Sequence, residues 1–121
     1  MINSDHNLIY NSNYLIIKNV IVLSINPDDH ELANFGIESL KIINKIGLNN
    51  IVIDLSLFEF ITSEHITFIH QIVDVYKLNN ISSIVCNFNI YSASILFHFI
   101  DDVQFQTALD IQSAIDVFEN Q

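Results

Sequence analysis

The sequence predicts an α/β domain, a mixed β-sheet with about four helices packed on it. Three observations carry this. Short β-branched runs such as Tyr14-Leu15-Ile16-Ile17, Val20 to Ile25 and Ile51-Val52-Ile53 are set off by Asn-containing turns. Longer segments repeat apolar residues at helical spacing. The order is two or three strands first, then strand and helix in alternation, the pattern of helices covering a partly parallel sheet. Residues 1–121 read as a single domain, because 121 residues is close to the commonest domain size. A chain this long buries roughly two thirds of its extended surface without needing staples.

Residues 8–10 and 14–17 are strand candidates separated by Asn11-Ser12-Asn13, and Val20 to Ile25 follows a second turn at Lys18-Asn19. Pro27-Asp28-Asp29-His30-Glu31 opens a helix, with Asp28 as the cap and Glu31 three residues on as in a capping box. Leu32, Phe35, Leu40, Ile43 and Ile46 lie near one face of it, and Gly47 is its stop. Asn49-Asn50 then turns the chain into Ile51-Val52-Ile53-Asp54-Leu55, an apolar run ending at an acid that reads as a central strand covered on both faces.

Ser56 to Ile61 reads as a packed connection, and a second helix opens at Thr62-Ser63-Glu64. Its inner face is Ile66, Ile69, Val73 and Tyr76; Glu64, Thr67, Gln71 and Asp74 lie opposite. Ser82 to Asn87 is a buried strand. A short helix from about Ser92 follows, whose Ile95 to Ile100 is apolar nearly all round and so predicts contact on more than one side. Residues 105–109 form a last short strand, and Asp110 caps a final helix carrying Ile111, Ala114, Ile115 and Phe118 inward.

Composition narrows the partners. There are four Lys, no Arg and fourteen carboxylates, for a net charge of −10. Without a guanidinium to grip phosphates, no nucleic-acid binding is expected, and an anionic membrane surface repels the chain. A protein partner should present a basic patch. Half of the residues are apolar and only 15% are charged, against an average of about 25%. Some apolar surface must therefore remain outside, which points to an oligomer. The single Cys86 and an N-terminus without a secretion signal fit a reducing, cytoplasmic setting. Residues 78–100 carry no formal charge, yet Asn79, Asn80, Ser82, Ser83, Asn87 and Asn89 break the stretch, so it is not a membrane span.

Catalytic constellations are missing. His6, His30, His65, His70 and His98 show no metal-ligand spacing, and they read as solvated or partly buried side chains. Gly36 and Gly47 cannot build a phosphate cradle, no nucleophile elbow is present, and no metal or cofactor is expected. Asp28-Asp29-His30-Glu31 complements the dipole of the helix it begins rather than holding a cation. The chain therefore does not read as an enzyme. What remains is Ser63 at the start of the second helix, either a plain capping residue or a site of regulatory phosphorylation.

The segment Val52-Ile53-Asp54-Leu55-Ser56-Leu57-Phe58-Glu59-Phe60-Ile61-Thr62-Ser63 resembles the phosphorylation segment of the STAS domain family: a strand ending in Asp, a loop, and a Ser opening a helix. The spacing onward through Ser82–Asn87 to Gln106-Thr107-Ala108-Leu109-Asp110-Ile111 is similar to the RsbS-type scaffold proteins of the bacterial stressosome, over about residues 14 to 118. The resemblance implies a STAS-type mixed sheet and puts Ser63 on the phosphoacceptor position. Thr62, where the family commonly has Asp, is the second candidate. Asp54, Thr62, Ser63, Glu64 and His65 are the implied partner-binding residues. The implied partners are an RsbR-like STAS co-scaffold, an RsbT-like serine kinase that phosphorylates the scaffold and leaves, and a PP2C-type phosphatase that resets it. The chain would then be a non-enzymatic stressosome scaffold in a bacterial stress-response pathway. An anti-sigma factor antagonist that binds a soluble anti-sigma kinase is the alternative, and a small ligand-binding α/β domain the second.

Overall fold

In the computed structural model, residues 13–87 and 105–121 are described. Strands β1 (Tyr14–Ile17) and β2 (Val20–Ser24) form an antiparallel hairpin pairing Tyr14 with Leu23 and Ile17 with Val20. Lys18 and Asn19 both take positive φ (51° and 63°), as a two-residue turn demands when its twist must match that of its strands. Strand β3 (Asn50–Asp54) lies parallel to β2, strand β4 (Ser82–Cys86) parallel to β3, and the short β5 (Gln106–Thr107) parallel to β4. The sheet order is simply β1-β2-β3-β4-β5.

Between β2 and β3 run a short 3₁₀ helix (Pro27–Glu31) and helix α1 (Phe35–Ile46); helix α2 (Ser63–Leu78) joins β3 to β4, and α3 (Ile111–Glu119) follows β5. The period-2 alternation of the strands sorts the core into two layers. Ile21, Leu23, Ile51, Ile53 and Val85 face Ile43 of α1 and Ile66, Ile69, Ile72 and Tyr76 of α2. Val20, Val22, Val52, Ile84 and Cys86 face Ala114, Ile115 and Phe118 of α3. Both faces of β3 are covered, which is why its sequence is apolar at successive positions.

Three expectations are revised. The single helix expected from Pro27 to Gly47 is two helices, broken at an extended Leu32 (φ −88°, ψ 109°). Its cap is Asn26 rather than Asp28, because Pro27 occupies the first helical position, where its missing N–H costs nothing. Asp29, not Glu31, returns to the cap, accepting the Asn26 N–H at 2.9 Å. Leu32, released from the helix face, is 57% exposed. Third, the described residues hold three α-helices rather than about four; the helix expected from Ser92 to Ile100 and the strand expected at 8–10 lie outside the described residues. The last strand covers only Gln106–Thr107 of the expected 105–109, and the cap of α2 is Thr62, one residue before Ser63. Gly47 ends α1 at φ +83°, and the Asp110 carboxylate accepts the Ser113 N–H at 2.8 Å at the start of α3.

One polar pair bridges α1 and α2. The Ser39 and Tyr76 hydroxyls lie 2.7 Å apart in the core, and burial pushes the Tyr76 phenol up to about 12, so it stays neutral at any ordinary pH. Tyr76→Phe should lower unfolding free energy by about 1 kcal/mol, the worth of one buried hydrogen bond, with an unchanged denaturant m-value. A urea titration checks this; a neutral or stabilising result would show that the pair contributes nothing.

Candidate functional site

Parallel strands deliver their following loops to one end of the sheet, and in α/β sheets that carboxyl end is where sites form. Here it receives the chain after Ser24, after Asp54 and after Thr107. Asp54, the last residue of β3, is 4% exposed. Its carboxylate accepts from Ser24 Oγ (2.7 Å) on β2, from Ser56 N and Oγ (3.0 and 2.9 Å) in its own loop, and from Asn87 Nδ2 (3.0 Å) just beyond β4. Asn87 takes φ 61°, a left-handed conformation that Asn tolerates, and this aims its amide at Asp54. The acid thus clasps three neighbouring strands and sets the first turn of the loop that leads to α2.

That loop carries buried Leu55, Phe58 and Ile61 inward and leaves Leu57 (48%) and Phe60 (65%) outward. It ends at Thr62, whose extended backbone (φ −104°, ψ 170°) makes it the cap of α2. Thr62 Oγ1 accepts the His65 N–H at 3.2 Å, and His65 Nδ1 accepts the Thr62 N–H at 3.1 Å. Ser63, next along, is exposed in the first helical turn. Its hydroxyl makes no hydrogen bond among the described residues, and the N–H groups of Ser63 and Glu64 are the open donors of the helix start.

Beside Ser63 lies a shallow groove of about 280 Å³ lined by His30, Ser63, Glu64, Thr67, Phe68 and Gln71. It continues into a second of about 270 Å³ between α1 and α2, on whose wall sit Leu32 and Ile37. The electrostatics of this end are one-sided. Asp28, Glu31, Glu59 and Glu64 are all exposed in loops or helix starts beyond the carboxyl ends of β2 and β3. The lysines lie elsewhere: Lys18 in the hairpin turn, Lys45 and Lys77 in the last turns of α1 and α2, and Lys41 a turn earlier in α1. Helices that return antiparallel to the strands carry these cations to the opposite end. The Ser63 end is therefore acidic, with apolar Leu32, Leu57, Phe60 and Leu109 exposed in its loops.

Of the five residues expected to meet partners, Thr62, Ser63 and Glu64 are exposed together, whereas Asp54 and His65 (8% exposed) are inside. Sequence reasoning missed their hydrogen-bond partners Ser24, Ser56, Asn87 and Pro27. The strand alignment placing Ser24 opposite Asp54 is the signal that could have found the first. Among the described residues no group of three or more His, Cys, Asp or Glu converges as for a metal, and no helix is long and apolar enough to cross a membrane. Cys86 is buried and its thiol is pushed up to about 12, chiefly by burial.

An antiparallel hairpin leading into parallel β-α units, with an acid closing the central strand and a hydroxyl pair starting the next helix, is consistent with the STAS fold. Solved structures agree on that fold. The chain is similar to a serine-to-glutamate variant of RsbS from Moorella thermoacetica (TM-score 0.75, 22% identity, 89% of this chain and 96% of that one). It is also similar to a chain from the stressosome, a signal integration and transduction hub (TM-score 0.69, 20% identity, 88% and 96%). A third is a Thermotoga maritima protein described as an anti-sigma factor antagonist (TM-score 0.70, 19% identity, 96% and 99%). No family profile matches the chain, and no curated protein matches it in sequence.

Proposed function

We propose that this chain is a non-enzymatic, RsbS-like stressosome scaffold that holds a serine kinase of the RsbT type and releases it when Ser63 is phosphorylated. The observation that carries this is the Ser63 hydroxyl: exposed, without a partner among the described residues, and set beside open helix N–H groups on an acidic and apolar surface. A phosphoryl group there brings about −1.5 to −2 charges to a helix N-terminus, which can hold it without unfolding the domain. Thr62 is the weaker acceptor because its oxygen already caps the helix through the His65 N–H. Glu64 next door, and the absence of any lysine at this end, mean that the new charge goes uncompensated on the surface and acts on whatever is bound there. The apolar loop residues and the groove along α2 are the proposed kinase-facing surface. An RsbR-like STAS protein completes the scaffold, a PP2C-type phosphatase restores the free hydroxyl, and the assembly works in the cytoplasm.

Phosphopeptide mapping after incubation with the kinase and ATP tests this reading. Phosphate on Ser63 is expected; phosphate on Thr62 alone, or on neither residue, overturns it. The likeness to an anti-sigma factor antagonist over nearly the whole chain favours a second reading, a monomer or dimer that binds a soluble anti-sigma kinase. Mixing the chain with its STAS partner separates the two: a megadalton particle is expected of the scaffold, and a small complex of the antagonist.

A further inference from the structure

The start of α2 is closed by a residue that capping boxes do not ordinarily use. Such boxes return a Glu or Gln side chain from the third helical position to the N–H of the cap residue. Here that position holds His65, with Nδ1 3.1 Å from Thr62 N. A backbone N–H can only donate, so Nδ1 is the bare nitrogen and the ring proton sits on Nε2. Nε2 lies 3.1 Å from the Pro27 carbonyl oxygen and donates to it. The same oxygen accepts from His30 Nδ1 at 2.8 Å. The two imidazoles meet edge to face with centroids 4.6 Å apart, and Phe58 lies against His65 with its ring centroid at 4.9 Å. One neutral ring therefore ties the cap of α2, the 3₁₀ helix after β2 and the loop after β3 together.

We infer that His65 is the positioning residue of the Ser63 helix start, and that its neutral Nε2–H form holds Ser63 in the presented geometry while the protonated form opens the cap. Protonation places an N–H on Nδ1 facing the Thr62 N–H, two donors with no acceptor between them, and the bond is lost. The first turn then keeps the Thr62 Oγ1 contact and the Ile66 N–H to Thr62 carbonyl bond but loses the tie on the Thr62 N–H, and Ser63 sits on a loosened helix end. The inference rests on the phosphoswitch reading for its consequence, though not for its geometry.

The groups facing the ring set when this happens. Burial is the largest influence and opposes the charged form; His30 on the 3₁₀ helix opposes it next. The Pro27 carbonyl, Glu64 on the same helix and Asp28 on the 3₁₀ helix favour it. The net effect holds His65 below its ordinary value of 6.5, so the capped form is the resting state at neutral pH. The unfolded chain takes up this proton first as pH falls. The stability linked to His65 is thus complete above about pH 6.5 and declines below it.

The test is an NMR titration of the full chain from pH 8 to 4.5. Long-range ¹⁵N couplings should show His65 as the Nε2–H tautomer at pH 8. Thr62 and Ser63 amide shifts should follow the His65 ring, with a midpoint below 6.5. Exchange of the Thr62 amide with solvent, corrected for intrinsic pH dependence, should rise about tenfold across that midpoint. His65→Gln, which rebuilds the box with an uncharged acceptor, should keep the Thr62 amide protected throughout, and His30→Phe should raise the midpoint. An Nδ1–H tautomer, or a Thr62 amide that stays fixed while the ring titrates, overturns the inference. In the kinase reaction, the rate of Ser63 phosphorylation in the native chain relative to His65→Gln should fall several-fold from pH 7.5 to 5.5. A constant ratio overturns the positioning role. If the amide follows the ring and neither chain is phosphorylated at any pH, the cap stands and the phosphoswitch reading fails.

Discussion

Ser63→Ala is expected to bind the kinase as the native chain does and to keep it when ATP is added. The dissociation rate with ATP should match the rate without it, whereas the native chain should accelerate at least tenfold. The argument is electrostatic and local. The exposed hydroxyl makes no internal hydrogen bond among the described residues, so its removal should change unfolding free energy by no more than about 0.5 kcal/mol. What it removes is a step that adds about two negative charges beside Glu64, on an end of the molecule that carries no lysine. Surface plasmon resonance with immobilised scaffold reads both rates. Release of the kinase by ATP from Ser63→Ala at the native rate would end the mechanism. Thr62→Ala is the informative companion. It loses the cap, at a cost of about 1 kcal/mol, yet should still accept phosphate on Ser63. If Thr62→Ala abolishes incorporation and Ser63→Ala does not, the acceptor is Thr62.

Asp54→Ala should be the most damaging single change to the fold near the site. It removes a buried carboxylate receiving four donors from Ser24, Ser56 and Asn87. Hydrogen bonds to a charged group contribute about 1.5–3 kcal/mol each when buried, but the Ser24 and Ser56 hydroxyls can rotate toward water, so a loss of about 3 kcal/mol is expected. For a domain of this size that lowers Tm by roughly 10 °C. Asp54→Asn keeps one acceptor oxygen and should fall between. Because the same carboxylate sets the loop carrying Leu57 and Phe60, kinase affinity should fall with stability in Asp54→Ala, while Ser63→Ala separates the two. Thermal unfolding and binding measured on the same samples check this. An Asp54→Ala protein as stable as the native one would show the clasp to be a consequence of the fold rather than a support for it.

The candidate site was legible in the sequence to the extent that it is local. Thr62 followed by Ser63 and Glu64, after an apolar loop, announces a helix start, and the structure puts the cap at Thr62. Ile66, Ile69 and Tyr76 of α2 and Ala114, Ile115 and Phe118 of α3 were readable from spacing, since burial of one helix face leaves a periodic trace. Phe68 and Ile72, by contrast, are buried beyond the expected stripe, and Val73 and Ile111 are only partly buried. His65 was not. It was expected among the partner-facing residues, and the structure turns it inward onto Pro27, 38 positions away in the chain. No periodicity encodes a contact across that separation. Asp54 behaves alike: its position at a strand end was plain, but its saturation by Ser24 and Asn87 depends on strand register. The break at Leu32 was missed because helical spacing continues through it on paper, while Pro27 and a 3₁₀ turn used the residues before it.

The amino-acid order therefore determined the alternation of strands and helices, the covering of β3 on both faces, a helix start at Thr62-Ser63, the cap at Asp110, the turn glycine at Gly47 and the strongly acidic character of the molecule. Each of these follows from interactions within a turn or two of the chain, or from composition. The tertiary structure decided the rest. It gathered the loops after β2, β3 and β5 at one end, sent the lysines to the other, filled the Asp54 carboxylate from three strands and locked the Ser63 helix start through the His65 ring. The physical reason is that parallel strands need long crossovers, and only the folded sheet determines which distant residues those crossovers bring within hydrogen-bonding reach.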